Sequence, residues 1–195
     1  MAELTTTLND LLTGRTSEIS QRIGADDAST SNAIQAAVPS LLAALSQEAN
    51  RGGGLKQAVA EDHDGSIIDN LGAYLNGSAQ LNPRATDGSG ILGHVLGDRQ
   101  DTLARGISAK SGLDLGSAMN LLTLLAPVVM GMLGKKEHTK TSSGGGGDLG
   151  VLLNREREDA QSSGGLGDLI GSVLGGGSGG GLGDVLGSVL GGDRK

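Results

Sequence analysis

The chain has 195 residues and a formal charge of −7, with 15 Lys and Arg against 22 Asp and Glu, no Cys, Trp or Phe, and a single aromatic residue, Tyr74. Without cysteine it has no disulfide framework, no thiolate metal site and no thiol nucleophile, so a reducing compartment, the cytoplasm, is expected. An acidic chain this poor in aromatics also lacks the basic stripes and stacking platforms of nucleic-acid binding.

The start, Met1-Ala2-Glu3-Leu4, has neither the basic n-region nor the apolar h-region of a secretory signal, and export by that route is not expected. Leu4, Leu8, Leu11 and Leu12 recur at helical spacing, and Ile19 with Ile23 extends the pattern past a break near Gly14, which predicts a helix or a helix pair. Asp26-Asp27 suits a helix N-terminus, and Ile34, Ala37, Val38, Leu41, Leu42 and Leu45 give the following helix a core-facing stripe. Pro39 inside it removes one backbone hydrogen bond and predicts a kink or a change of helix. Arg51-Gly52-Gly53-Gly54 ends the segment.

Short helical pieces are predicted from Leu55 to about Glu61 and from Ile67 to Leu75, separated by the turn Asp62-His63-Asp64-Gly65 and closed by Asn76-Gly77. Asp87-Gly88-Ser89-Gly90 opens a brief apolar segment, Ile91 to Leu96, which stops at Gly97. Asp98 is placed to cap a helix carrying Leu103 and Ile107, and Gly112 ends that helix. The last core helix, about Asp114 to Leu133, is apolar on most faces. Its longest apolar run, Leu121 to Leu133, falls short of the ~20 residues a bilayer needs and reads as a buried core helix. No alternating β-branched stretch competes, so the fold class is all-α.

Three ordered motifs in these helices, His63-Asp64-Gly65-Ser66-Ile67, Gly90-Ile91-Leu92-Gly93-His94-Val95-Leu96-Gly97 and Ala126-Pro127-Val128-Val129-Met130-Gly131-Met132-Leu133-Gly134, resemble the successive signatures of a bacterial domain-of-unknown-function family similar to YidB (domain of unknown function 937). The resemblance spans roughly residues 1–135. It implies a compact multi-helix domain, part of which is similar to a homeodomain, and it implies no activity, substrate or cofactor.

The homeodomain likeness raises DNA binding as an alternative function. Residues 1–143 carry 11 Lys and Arg against 15 Asp and Glu, and the final core helix offers Leu, Val and Met where a recognition helix needs Arg, Lys or Asn. Lys135, Lys136 and Lys140, the one basic cluster, suit a helix C-terminus. A further alternative is a metal-binding or catalytic site built from Glu61, Asp62, His63 and Asp64 with His94 and Asp98, which are ligand types for zinc or another divalent ion. The competing reading is a solvated capping cluster and a packing histidine, and an enzyme would need a pocket that joins His63, His94 and nearby carboxylates. Gly88-Ser89-Gly90-Ile91-Leu92-Gly93 matches the dinucleotide-binding pattern but follows no predicted strand, so no cofactor is inferred.

Glycine marks a second regime. Residues 1–143 hold 17 of the 36 glycines and residues 144–195 the other 19. The expected organisation is a helical domain over 1–135 and a flexible Gly/Ser-rich tail over 136–195. Within the tail, residues 165–175 and 181–191 are near-identical copies 16 residues apart. Leu166, Leu169, Ile170, Val173 and Leu174 in the first, and Leu182, Val185, Leu186, Val189 and Leu190 in the second, each fall on one helical stripe. A weaker third copy begins at Gly147-Asp148-Leu149 and runs to Leu153, before the charged stretch Asn154 to Asp159.

A segment of ~10 residues with internal glycines is below the ~12–15 at which isolated helices become marginal, so each copy reads as a helix-in-groove ligand that orders on docking. The expected function is non-enzymatic protein interaction or assembly through the tail, with a protein partner or a homo-oligomer. Asp, Gly and Ser on the polar face argue against a membrane target, and no small-molecule substrate is inferred.

Overall fold

The structure, a computed structural model, describes residues 3–52, 54–142, 149–162 and 171. Among them every regular element is helical: α1 (Glu3–Thr13), α2 (Thr16–Ile23), α3 (Asp27–Arg51), α4 (Leu55–Asp62), α5 (Ser66–Asp69), α6 (Leu71–Leu75), α7 (Pro83–Thr86), α8 (Gly88–Leu96), a 3-10 turn (Gly97–Arg99), α9 (Gln100–Ser111), α10 (Leu115–Ser142) and α11 (Leu149–Ser162). The all-α expectation holds for these residues.

Local chemistry accounts for most of the boundaries. The Asp26 carboxylate accepts from Ser29 N at 2.8 Å and starts α3, Asp87 accepts from Gly90 N at 2.9 Å and starts α8, and Asp114 accepts from Ser117 N at 3.0 Å at the head of α10. Gly52 and Gly112 close α3 and α9 in the left-handed conformation. Asp98 departs from its expected role: it lies in the 3-10 turn, and the N-cap of α9 is Arg99, which makes no side-chain capping bond. The single helix expected over Ile67 to Leu75 is two short ones, α5 and α6, hinged at Asn70.

Two helices form the centre. Every residue from Ala36 to Ser46 of α3 and from Leu124 to Gly134 of α10 is buried, and the other helices pack around this pair. Neither proline interrupts its helix. Pro39 is tolerated inside α3, where the Ser40 hydroxyl donates to the Ala36 carbonyl at 2.8 Å, and Pro127 sits inside α10. The stretch Leu115–Thr139 is long and apolar enough to cross a membrane, but most of it is buried inside the structure, the condition of a core helix.

Tyr74 of α6 belongs to the same core. Its hydroxyl donates to the Leu124 carbonyl of α10 at 3.1 Å, and burial pushes its pKa up to about 12. The neutral phenol is therefore favoured by the fold, and this contribution is intact below pH 10 and lost as pH rises toward 12. As the only aromatic residue, Tyr74 can be followed by ultraviolet difference absorbance without interference. The expected result is a phenolate transition near 12 in the folded chain and near 10 in denaturant.

Candidate functional site

The three sequence motifs converge on α10. Pro127 has no N–H to give the carbonyl four residues earlier, which leaves the Thr123 carbonyl without its usual helical donor. The backbone of Gly88, at the start of α8, lies against that same carbonyl, and a Cβ on Gly88 would overlap it, inside the 3.0 Å that real Cβ atoms keep. Further along α10, Gly134 receives the His63 carbonyl and Gly131 receives the Ile67 side chain, each at a distance that a Cβ would block. An ion pair between Lys135 and Asp69 closes over the contact. Proline and glycine in α10 thus hold the 63–67 turn and the start of α8 at fixed places on one helix.

That placement builds a cavity of about 220 Å³. Leu55, Ala58, Ile91, Val95 and Met130 supply its apolar lining, and Asp62, His63, Arg84, Asp87 and His94 supply the polar groups. His63 is only 4% exposed, and its Nδ1 is buried with no hydrogen-bond partner among the described residues. Burial lowers the His63 pKa, while Asp62 and Asp64 act in the opposite direction. Arg84 lies 3.9 Å from Asp62, and His94, which is largely exposed, turns its Nε2 to within 3.8 Å of Glu48. Asp87 already accepts from Gly90 N through Oδ1, the capping bond of α8.

The histidines suspected from sequence therefore share one cavity with Asp62, and three of their companions, Glu61, Asp64 and Asp98, do not line it. Glu61 accepts from Gln57 Nε2 at 2.9 Å along α4. The Asp64 carboxylate accepts from Ser66 N at 2.9 Å and shapes the turn into α5, and the hydrogen bonds from Ser66 lower its pKa. Asp98 borders a separate depression with Arg51, Arg99 and His94. Among the described residues no three His, Asp or Glu side chains are arranged to hold a metal ion. The lining contains no hydroxyl nucleophile either; it offers a buried imidazole, two carboxylates and an apolar wall. Sequence reasoning missed Arg84 and Asp87 as members of the site: Arg84 lies in the four-residue helix α7, too short to show a periodicity, and Asp87 is the N-cap of α8. The cap pattern Asp87-Gly88-Ser89-Gly90 was visible, but not that Asp87 would line one cavity with His63.

The ten tail residues named as partner-binding, Leu166 to Leu190, lie outside the described residues. The weaker third copy is described in part. Leu149 to Ser162 is helix α11, and it packs along α3 with Leu149, Leu153 and Ala160 buried. Asn154 accepts from Ser46 Oγ at 2.8 Å and from Asn50 Nδ2 at 2.9 Å. Glu156 reaches the N-terminus of α1, where its carboxylate accepts from Leu4 N at 2.8 Å, Thr5 N at 3.1 Å and Thr5 Oγ1 at 2.8 Å. This stretch was expected inside a flexible tail beginning at residue 136; instead α10 continues to Ser142 and α11 is part of the packed structure. The signal was the spacing Leu149, Leu153, Glu156, Ala160, a helical stripe with a carboxylate in it.

Residues 6–136 match the model of a family described as bacterial proteins of unknown function, DUF937. That agrees with the family read from the three motifs, and it does not reach the likeness to YidB. No curated protein and no solved structure matches the chain.

Proposed function

We propose a role in protein interaction or assembly, without catalysis, for this chain, which belongs to the DUF937 family of bacterial proteins of unknown function. The C-terminal copies at 165–175 and 181–191 act as short amphipathic ligands that order when they dock on a protein partner or on another copy of the chain. The observation that carries this reading is α11. It begins at Leu149, the last residue of Gly147-Asp148-Leu149, which is the sequence counterpart of Gly167-Asp168-Leu169 and Gly183-Asp184-Val185, and it is docked on a helical surface through Leu149 and Leu153. Leu169 with Val173, and Val185 with Val189, repeat that four-residue spacing.

The linker from Gly175 to Gly181 spans roughly 14 Å as a random coil, so two copies on one tail can engage neighbouring sites. Avidity of this kind adds about 10² to 10⁴ over a single copy. In the full chain, Ile170→Asp with Val173→Asp is expected to weaken self-association or partner capture by about 10²-fold or more, and adding Leu186→Asp with Val189→Asp to abolish it. Light scattering and co-purification measure this, with the far-ultraviolet helical signal as a check on the fold. Unchanged assembly in the fourfold variant defeats the proposal. DNA binding would instead appear as a strongly salt-dependent gel shift, and a membrane ligand as sedimentation with vesicles.

A further inference from the structure

We propose that the groove between the end of α3, α4 and the first turn of α11 receives residues 165–175 of a second copy of this chain, with Asp168 paired to Lys56. The inference rests on the tail reading above and names its receptor. The groove encloses about 560 Å³, within the ~300–1,000 Å³ of sites that take a ligand, and Leu149 and Gly150 of α11 belong to its wall. Ala49 of α3 and Ala60 of α4 add small side chains, over which another helix can lie close. Val151, next in sequence to Gly150, is 63% exposed, one of two large apolar side chains left uncovered among the described residues.

Kinship, charge and reach select the occupant. The helix that forms part of the wall, α11, is itself the third copy, docked on α3 through Leu149 and Leu153. The groove thus continues an interface that a Gly-Asp-Leu helix already makes, as when one repeat packs on its neighbour. Lys56 is the one charged residue of the lining and makes no ion pair among the described residues. The 165–175 copy likewise carries one ionisable residue, Asp168, of the opposite sign.

Reach excludes the chain's own first copy. Gly150 lies ~18 Å from Ser162 along α11, and a helix packed beside it is set off a further ~8–10 Å sideways, so the groove is ~20 Å from Ser162. Four extended residues carry Leu166 at most ~14 Å from Ser162, and two helical residues more take Asp168 to ~17 Å. The copy therefore fills the groove of another molecule, and two chains that exchange copies close into a dimer.

The test is carbodiimide coupling in a mixture of unlabelled and isotope-labelled full chains, followed by mass spectrometry of the peptides. An amide between Lys56 and Asp168 that joins one unlabelled and one labelled peptide is expected. By light scattering, Lys56→Glu should weaken dimerisation by about fivefold, and Asp168→Lys added to it should restore most of the loss. Ala60→Trp, which places a ring in the groove from an exposed position, should weaken it by about tenfold or more. A monomeric full chain, absence of the hybrid product, or Lys56 coupled to Asp168 or Asp184 only within one label would each overturn the assignment. Should Ala60→Trp not fold, Lys56→Glu still decides, because that side chain is exposed. If Ile170→Asp with Val173→Asp disrupts assembly while Lys56→Glu and Ala60→Trp do not, the tail reading stands and this receptor falls; if none of them matters, both fall.

Discussion

Gly134→Ala is expected to be among the most damaging single-methyl changes in the chain. The new Cβ would occupy the position of the His63 carbonyl oxygen, and the obstacle is backbone on both sides, which no rotamer change can clear. Either α10 or the 63–67 turn must move, and the residues in contact there, Gly134 with His63, Gly65 and Ile67, are buried. Overpacking a tight core costs typically 1–3 kcal/mol and occasionally more, and a backbone-to-backbone overlap belongs at the upper end, about 3 kcal/mol or above. Gly88→Ala meets the Thr123 carbonyl in the same way and should cost a similar amount. Gly93→Ala is the internal control: it lies in α8 with its nearest neighbour at 4.0 Å, so the methyl group has room. Alanine there should be neutral or stabilise by up to about 1 kcal/mol, because glycine is the poorer helix former. Urea denaturation of the three variants checks the order. Equal losses at Gly134 and Gly93 would mean that helix propensity, and not contact with the 63–67 turn, governs these positions.

These glycines show what was legible in the sequence and what was not. The caps at Asp26 and Asp87, the terminating Gly52 and Gly112 and the apolar character of α10 are local signals, and they located most of the core. Asp98 was misplaced because a 3-10 turn and a helix start use the same residues, and only the backbone path past Gly97 separates them. Of the two outcomes expected at Pro39, a change of helix does not occur: α3 continues through it, in a stretch from Ala36 to Ser46 where every residue is buried against neighbouring elements. That His63 and His94 line one cavity depends on contacts between residues far apart in the chain, through Gly134 and Gly88, and no periodicity encodes it. The shortage of aromatics also acquires a physical reading. Ala36, Ala37, Ala43 and Ala44 in α3, with Gly131 and Gly134 in α10, let helices approach closely, and a core closed by small residues leaves little room for rings.

Glu156 supports the largest effect expected outside that centre. α1 begins at Glu3, and the first N–H groups of a helix have no partner within it. Glu156 supplies the partner from α11, accepting from Leu4 N, Thr5 N and Thr5 Oγ1 while only 4% exposed, at the end of the helix where negative charge is favoured. Glu156→Ala removes all three acceptor contacts and leaves a buried donor, Leu4 N, unsatisfied. The cost of such a group is about 1–3 kcal/mol. Leu153→Ala, at a side chain with no exposure, carries an expected loss of about 2–5 kcal/mol if α11 unfolds with the rest. The loss cannot exceed the docking energy of α11, because beyond that point the helix leaves α3 and the remaining core stays folded. Hydrogen exchange separates the two cases. Both variants should lose protection at Leu4 and Thr5, as well as along α11, before the amides of α3 and α10 respond. Glu158→Ala, two residues on and exposed, should stay within about 0.5 kcal/mol of the parent. If Glu156→Ala were as mild as Glu158→Ala and left Leu4 and Thr5 protected, α11 would not be the cap of α1, and the docked copy that supports the interaction reading would lose its standing.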